Sequence, residues 1–244
     1  MSKIIVANLK MNYDLGEMLL YKKELDKIIT NNDNLIVAPQ YPYFSFFNKG
    51  NYSLCSQDIS EYISGSYTGE VSARDIASLD VEYCLINHSE RKIINIQSKE
   101  TILTKINNLF DYNIIPILCL GEYEKDYKKK KTLKIIEKDL INIFSNINSK
   151  DSSKIIVAYE PIWSIGTEVA PSIEYIVTVI KFIKDYIKKH YNININVIYG
   201  GSVNEFNIDE LSKIDCDGYL LGKSCLEINK LETIITKSRA SLIS

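Results

Sequence analysis

Four polar side chains stand just after short apolar runs, and together they suit moving a proton next to a carbonyl. Glu160 follows Ile155-Ile156-Val157-Ala158-Tyr159, and Pro161 stops the run at once. Asn8 and Lys10 occupy alternate positions after Ile4-Ile5-Val6-Ala7, and His88 follows the run Tyr83 to Ile86. Glycines follow two later runs, as Gly200-Gly201-Ser202 and as Gly222-Lys223-Ser224, where backbone N–H groups can approach an anion closely. A carboxylate can take a proton from carbon, and a neutral imidazole can polarise an oxygen or pass a proton on. If Ser89 to Lys92 form a helical turn, its positive end faces His88 and disfavours the imidazolium. Read singly, each has a plainer account: Glu160 a solvated turn acid, Lys10 a surface lysine, His88 an ordinary loop residue.

What the chain lacks narrows the chemistry. With two histidines and no carboxylates at ligand spacing beside them, a catalytic metal is not expected. No GxGxxG occurs, so a dinucleotide is not expected, and no cofactor is called for. Gly218 to Ser224 imitates a nucleotide loop but is one residue short between its glycines, and those residues read as a strand. A Schiff-base lysine would belong in a late strand, where Glu160 stands instead. A phosphate grip, one carboxylate base, one imidazole and one lysine remain, a set suited to an enediolate intermediate.

The elements that must hold these residues recur from end to end. Apolar runs at 4–7, 35–38, 53–56, 83–86, 114–120, 155–159, 195–199 and 219–221 are short and rarely alternate, as in parallel strands covered on both faces. Segments of helical period separate them, at Leu15 to Ile29, Leu133 to Phe144 and Ile173 to Ile187, with Ser98 and Ser172 as helix starts. Eight strand signals alternating with helices and no polar linker predict one α/β domain over 1–244, a closed parallel (β/α)8 barrel. A doubly wound open sheet is the alternative, but it would want a Gly-rich first turn, and Asn8-Leu9-Lys10-Met11-Asn12 has no glycine. In a barrel, residues at the carboxyl ends of the strands converge on one face.

A net charge of −2 gives no basic field for nucleic acid. The run Lys128 to Lys131 reads as a solvated helix start beside Glu124 and Asp126. The five cysteines form no CxxC pair, and their odd number fits reduced, mostly buried thiols and a cytoplasmic protein. The start shows no signal-peptide pattern, and no apolar stretch reaches the ~18 residues of a membrane span, so no membrane partner is expected.

Seven motifs, in order along essentially the whole chain, resemble the triosephosphate isomerase family: Asn8 to Asn12, Gly65 to Ser72, His88 to Arg91, Cys119 to Glu122, Tyr159 to Trp163, Tyr199 to Val203 and Asp217 to Gly222. The resemblance implies interconversion of dihydroxyacetone phosphate and glyceraldehyde 3-phosphate. It implies Glu160 as the carbon base, neutral His88 as the electrophile, Lys10 as positive charge, Asn8 as a side-chain donor and Glu90 as a partner of Lys10 or an orienting group, not a second base. It makes the stretch from Pro161 to Gly166 a lid, with Gly166 closing over a phosphate held by Ser202, Gly222 and Lys223. The Gly65 to Glu70 loop, with Tyr67, Thr68, Gly69 and Glu70, would insert into a second copy, giving a homodimer. Leu9, Asn87, Lys92, Lys223 and Glu168 depart from the family's usual residues, and the stretch before Pro171 is shorter than its common form. Two other readings are weighed: an isomerase or epimerase of larger sugar phosphates, which would not call for the Asn8–Lys10 pair with His88 and Glu160, and an inactive scaffold or adhesin, which would have lost one of them.

Overall fold

Eight parallel strands close on themselves in chain order in the computed structural model, which describes residues 2–47, 50–147, 149–165 and 170–240. They are β1 (Ile4–Asn8), β2 (Asn34–Ala38), β3 (Ser53–Ser56), β4 (Tyr83–Ile86), β5 (Ile115–Leu120), β6 (Ile156–Tyr159), β7 (Asn196–Tyr199) and β8 (Gly218–Leu221). Pairing of β1 with β8, Ile4 opposite Gly218 through Ala7 opposite Leu221, closes the barrel. The connections carry α1 (Leu15–Ile28), α2 (Ala73–Ala77), α3 (Ser89–Ile94), α4 (Lys99–Asp111), α5 (Glu124–Lys128), α6 (Thr132–Phe144), α7 (Ser149–Ser152), α8 (Ile173–Tyr191), α9 (Ile208–Leu211) and α10 (Ile228–Ala240). The expected barrel and each expected strand are therefore present, with ends shifted by a residue at most.

The helices start where their caps dictate. Asp14 accepts from Glu17 N–H while Glu17 reaches back to Asp14 N–H, a reciprocal pair that fixes the entry to α1. Ser98 and Ser172 accept from the third residue of α4 and α8, each such cap contributing about 1 kcal/mol. Lys128 pairs with Glu124 at 2.7 Å along α5, a solvated contact.

The alternation of side chains along each strand decides what faces the centre. Ile4, Val6, Ile156, Ala158, Ile198 and Leu220 pack together in the barrel interior. Their neighbours, among them Ile5, Ala7, Val157, Tyr159, Val197, Tyr199 and Tyr219, pack outward in the core shared with the helices. Following the inward rows to the strand ends gives Asn8, the last residue of β1, and just beyond their strands Glu160 from β6, Gly200 from β7 and Gly222 from β8. A carboxylate, an amide and two residues without side chains thus meet at one end of the barrel. All five cysteines are buried free thiols, and no described helix is long and apolar enough to cross a membrane.

Candidate active site

β4 reaches the centre by a different route. Leu85 faces inward, so strict alternation would send Asn87 inward and His88 away. Asn87 instead adopts a left-handed conformation, φ 62°, which an asparagine tolerates and which turns His88 inward. Asn87 Nδ2 donates to Cys119 O at 3.2 Å, tying this hitch to β5. His88 then caps α3, its Nδ1 accepting from Glu90 N–H at 3.3 Å. With Nδ1 an acceptor, the proton of the neutral ring sits on Nε2. Nε2 lies 3.2 Å from Glu160 Oε1, and both side chains are buried.

Burial pushes the Glu160 carboxyl up, but the adjacent His88 ring outweighs it, with a smaller contribution from the Cys119 thiol and Lys92, and holds it below the usual carboxylate range. Burial pushes His88 down, and the Glu160 carboxylate more than reverses this in the pair. Each partner therefore favours a charged neighbour, while the amide at Nδ1 favours the neutral ring that the sequence suggests. A second ring proton would point at an N–H group, so the neutral ring beside an ionised Glu160 is the form the geometry holds. Glu160 Oε2 is buried without a hydrogen-bond partner among the described residues. An unpartnered buried oxygen is costly in a purely structural acid and is what a proton-accepting base needs.

Room for that acid comes from two glycines. A Cβ on Gly200 would lie 2.8 Å from Glu160 Cγ, and one on Gly121 would lie 1.7 Å from Glu160 O. The expectation for Gly200 was access of N–H groups to an anion; the structure gives it a further reason, space for the base.

Lys10 Nζ meets Glu90 Oε1 at 2.5 Å, the pairing that is one of the two roles the resemblance implies for Glu90. Its backbone is left-handed, φ 52°, and is held by Asn8 Oδ1, which accepts Lys10 N–H at 3.0 Å. Gln57 Nε2 donates to both Lys10 O and Ala38 O at 2.9 Å. A Cβ on Gly222 would lie 3.4 Å from Lys10 Nζ, so the loop after β8 adjoins this lysine. Asn8, Lys10, His88, Glu90, Glu160 and Gly222 are thus brought together. Ser202 donates from Oγ to Ser164 O at 2.7 Å, joining the loop after β7 to the segment after Glu160. Lys223 is exposed at the start of the 3-10 turn Lys223–Cys225. Gly166 and the residues to 169 lie outside the described residues. Tyr67, Thr68, Gly69 and Glu70 form a separate exposed turn, in which Tyr67 stacks on Tyr62 with ring centres 3.7 Å apart.

Three supports come from residues to which the sequence assigns no role, although Glu122 lies in one of the seven motifs. Gln57 is one. Glu122, fully buried, accepts from Trp163 Nε1 at 2.8 Å and from Tyr175 Oη at 2.9 Å, with Tyr159 Oη at 3.2 Å. It anchors the turn Ile162–Ser164, the start of the expected lid, to β6 and α8. Asp58 takes Arg91 Nε at 2.9 Å and Lys105 Nζ at 2.8 Å, fixing α3 and hence the amide that meets His88.

A parallel eightfold barrel with a buried carboxylate–imidazole pair and a lysine at the carboxyl ends of its strands defines a barrel enzyme built for carbon-acid chemistry. The family model for triosephosphate isomerase matches residues 3–238. The chain is 35% identical over 252 residues to the triosephosphate isomerase of Buchnera aphidicola subsp. Schizaphis graminum, covering 98% of this chain and 99% of the relative. It is 34% identical over 249 residues to that of Orientia tsutsugamushi strain Ikeda (96% and 97% covered) and 35% over 250 residues to that of Mesomycoplasma hyorhinis (98% and 100% covered). The chain belongs to the triosephosphate isomerase family.

Proposed function

We propose that Glu160, His88, Lys10 and Asn8 carry the interconversion of dihydroxyacetone phosphate and glyceraldehyde 3-phosphate in this chain, within one domain spanning 1–244. The observation that carries these roles is the Glu160–His88 contact of 3.2 Å, made by a base with one free buried oxygen. Glu160 takes a proton from the carbon next to the carbonyl, and the electron pair left behind becomes an enediolate. His88 donates from Nε2 to the oxygens that carry the developing charge and moves a proton between them. Glu160 then returns its proton to the neighbouring carbon, so no atom is gained or lost. Lys10 supplies fixed positive charge, and the Asn8 amide, whose Oδ1 is engaged with Lys10 N–H, offers its own N–H groups to the substrate.

The phosphate is held by the loops after β7 and β8, through Ser202, Gly222 and Lys223, with Gly166 closing over it. The tie from Ser202 to Ser164 supports this, because it links the grip to the lid's stem. Closure matters chemically, since exclusion of water protects a reactive enediol phosphate from losing its phosphate. The full-length chain, supplied with glyceraldehyde 3-phosphate and a reductase that consumes NADH on dihydroxyacetone phosphate, is expected to turn over at once. Folded protein without activity would overturn the assignment and favour the scaffold reading.

Two copies associate through the 65–70 loop. Support comes from the apolar surface left open: Tyr67 is 42% exposed and Met11, beside the catalytic Lys10, is 89% exposed. Sedimentation of the wild type should show a two-chain species at micromolar concentration, and Tyr67→Arg should shift it toward single chains with lower activity per chain. A monomeric, fully active wild type would rule this out. Five buried free thiols support residence in a reducing cytoplasm.

A further inference from the structure

A cavity of about 420 Å³ lies outside the barrel, between the α3–α4 segment and the α5–α6 segment. None of the side chains that meet at the barrel mouth, Asn8, Lys10, His88, Glu90 or Glu160, lines it. Its size falls in the range of small-molecule sites. Its apolar surface includes Ile102, Leu120, Ile135 and Ile143, of which Ile102, Leu120 and Ile143 are buried core residues. Three cations, Lys92, Lys99 and Lys125, share it with two acids, Asp126 and Asp139.

The charges are unusual in being unspent. Lys92 and Asp139 are both half-buried, and the side chain of neither forms an ion pair within 4 Å or a hydrogen bond with a described residue. Long-range attraction to Lys92 only partly offsets the burial that pushes the Asp139 carboxyl up. A structural pair of this depth would be expected to close, because half-buried charges are costly alone. Here the cavity keeps them apart. With three lysines against two acids, one of which burial biases toward its neutral form, the space carries net positive charge beside an aliphatic wall.

We infer that this cavity is a second ligand site, for an amphipathic monoanion: a carboxylate-type head held by Lys92 with Lys99 or Lys125, and an aliphatic body against Ile102, Ile135 and Ile143. Its inner wall is the backbone on which the catalytic pair is mounted. Asn87 and Gly121 line it, Asn87 being the hitch before His88 and Gly121 lying against the Glu160 peptide. The ligand therefore sits behind the catalytic pair and does not compete with the triose phosphate for the barrel mouth.

Decanoate serves as the probe, titrated calorimetrically into the full-length protein with glycerol 3-phosphate saturating the barrel mouth. Binding should persist in the presence of glycerol 3-phosphate, weaken at least about tenfold in Lys92→Met, and vanish in Asn142→Trp, which fills the cavity. Decanol, with the body but not the charge, should bind at least about tenfold more weakly than decanoate. If Asn142→Trp fails to fold by circular dichroism, Lys125→Met takes its place, with a loss of affinity expected. The inference is overturned if decanoate does not bind at millimolar concentration, if glycerol 3-phosphate displaces it, or if the charge and filling variants bind as the wild type does.

Discussion

Glu160→Ala is expected to lower turnover of glyceraldehyde 3-phosphate by about 10³-fold or more while a phosphate-bearing inhibitor still binds. A positioned general base contributes about 10²–10⁴-fold by itself. Here the loss extends further, because the carboxylate also contacts His88 Nε2 at 3.2 Å, and its removal leaves that ring N–H without its partner. On the proposed assignment of phosphate binding to the loops after β7 and β8, affinity for an inert phosphate ester should change little. Glu160→Gln separates the two effects: it keeps the shape and a hydrogen-bonding group beside His88 but cannot accept the carbon-bound proton. Steady-state kinetics with inhibitor titration decides the matter. Near-wild-type turnover in either variant would mean that another group removes the proton.

Lys10→Met should lower kcat/KM by about 10²–10³-fold, the usual cost of removing one preorganised electrostatic contact to developing charge. The fold should tolerate the change, since Glu90 is 44% exposed at its side chain and can be solvated when its partner is lost. Loss of the cation should also flatten the salt dependence of kcat/KM, because the wild-type lysine attracts a dianionic substrate through a screened field. A variant with unchanged kcat/KM, or one with the same salt slope as the wild type, would remove Lys10 from the site. The backbone bonds from Asn8 and Gln57 keep this stretch in place in the variant, so an effect can be assigned to the charge.

Much of the barrel was legible because its signals are local. Each strand is a run of mostly apolar residues, and at β1, β4 and β6 the polar residue of the site sits at its end or within two residues of it. Convergence of Asn8, His88 and Glu160 then follows from closure of the sheet. What was not legible depends on contacts between distant segments. Nothing near Gln57 says that its amide bridges Lys10 and Ala38. The buried role of Glu122 exists only because Tyr159, Trp163 and Tyr175 arrive from three places in the chain. Gly200 reads as a loop glycine until the Glu160 side chain from the neighbouring strand is seen to occupy its missing Cβ. The inward turn of His88 is an intermediate case: the sequence shows that Asn87 can take a positive φ, and only the parity of β4 shows that it must.

The left-handed Asn87 has a consequence for where disorder is lost. A ring that reached the barrel axis on a long, freely rotating side chain would have to be immobilised each time a substrate arrived. His88 is aimed by its backbone, with Nδ1 tethered to an amide and the preceding residue tied to β5. The conformational entropy of aiming the imidazole is therefore surrendered once, when the chain folds, and does not recur in every catalytic cycle.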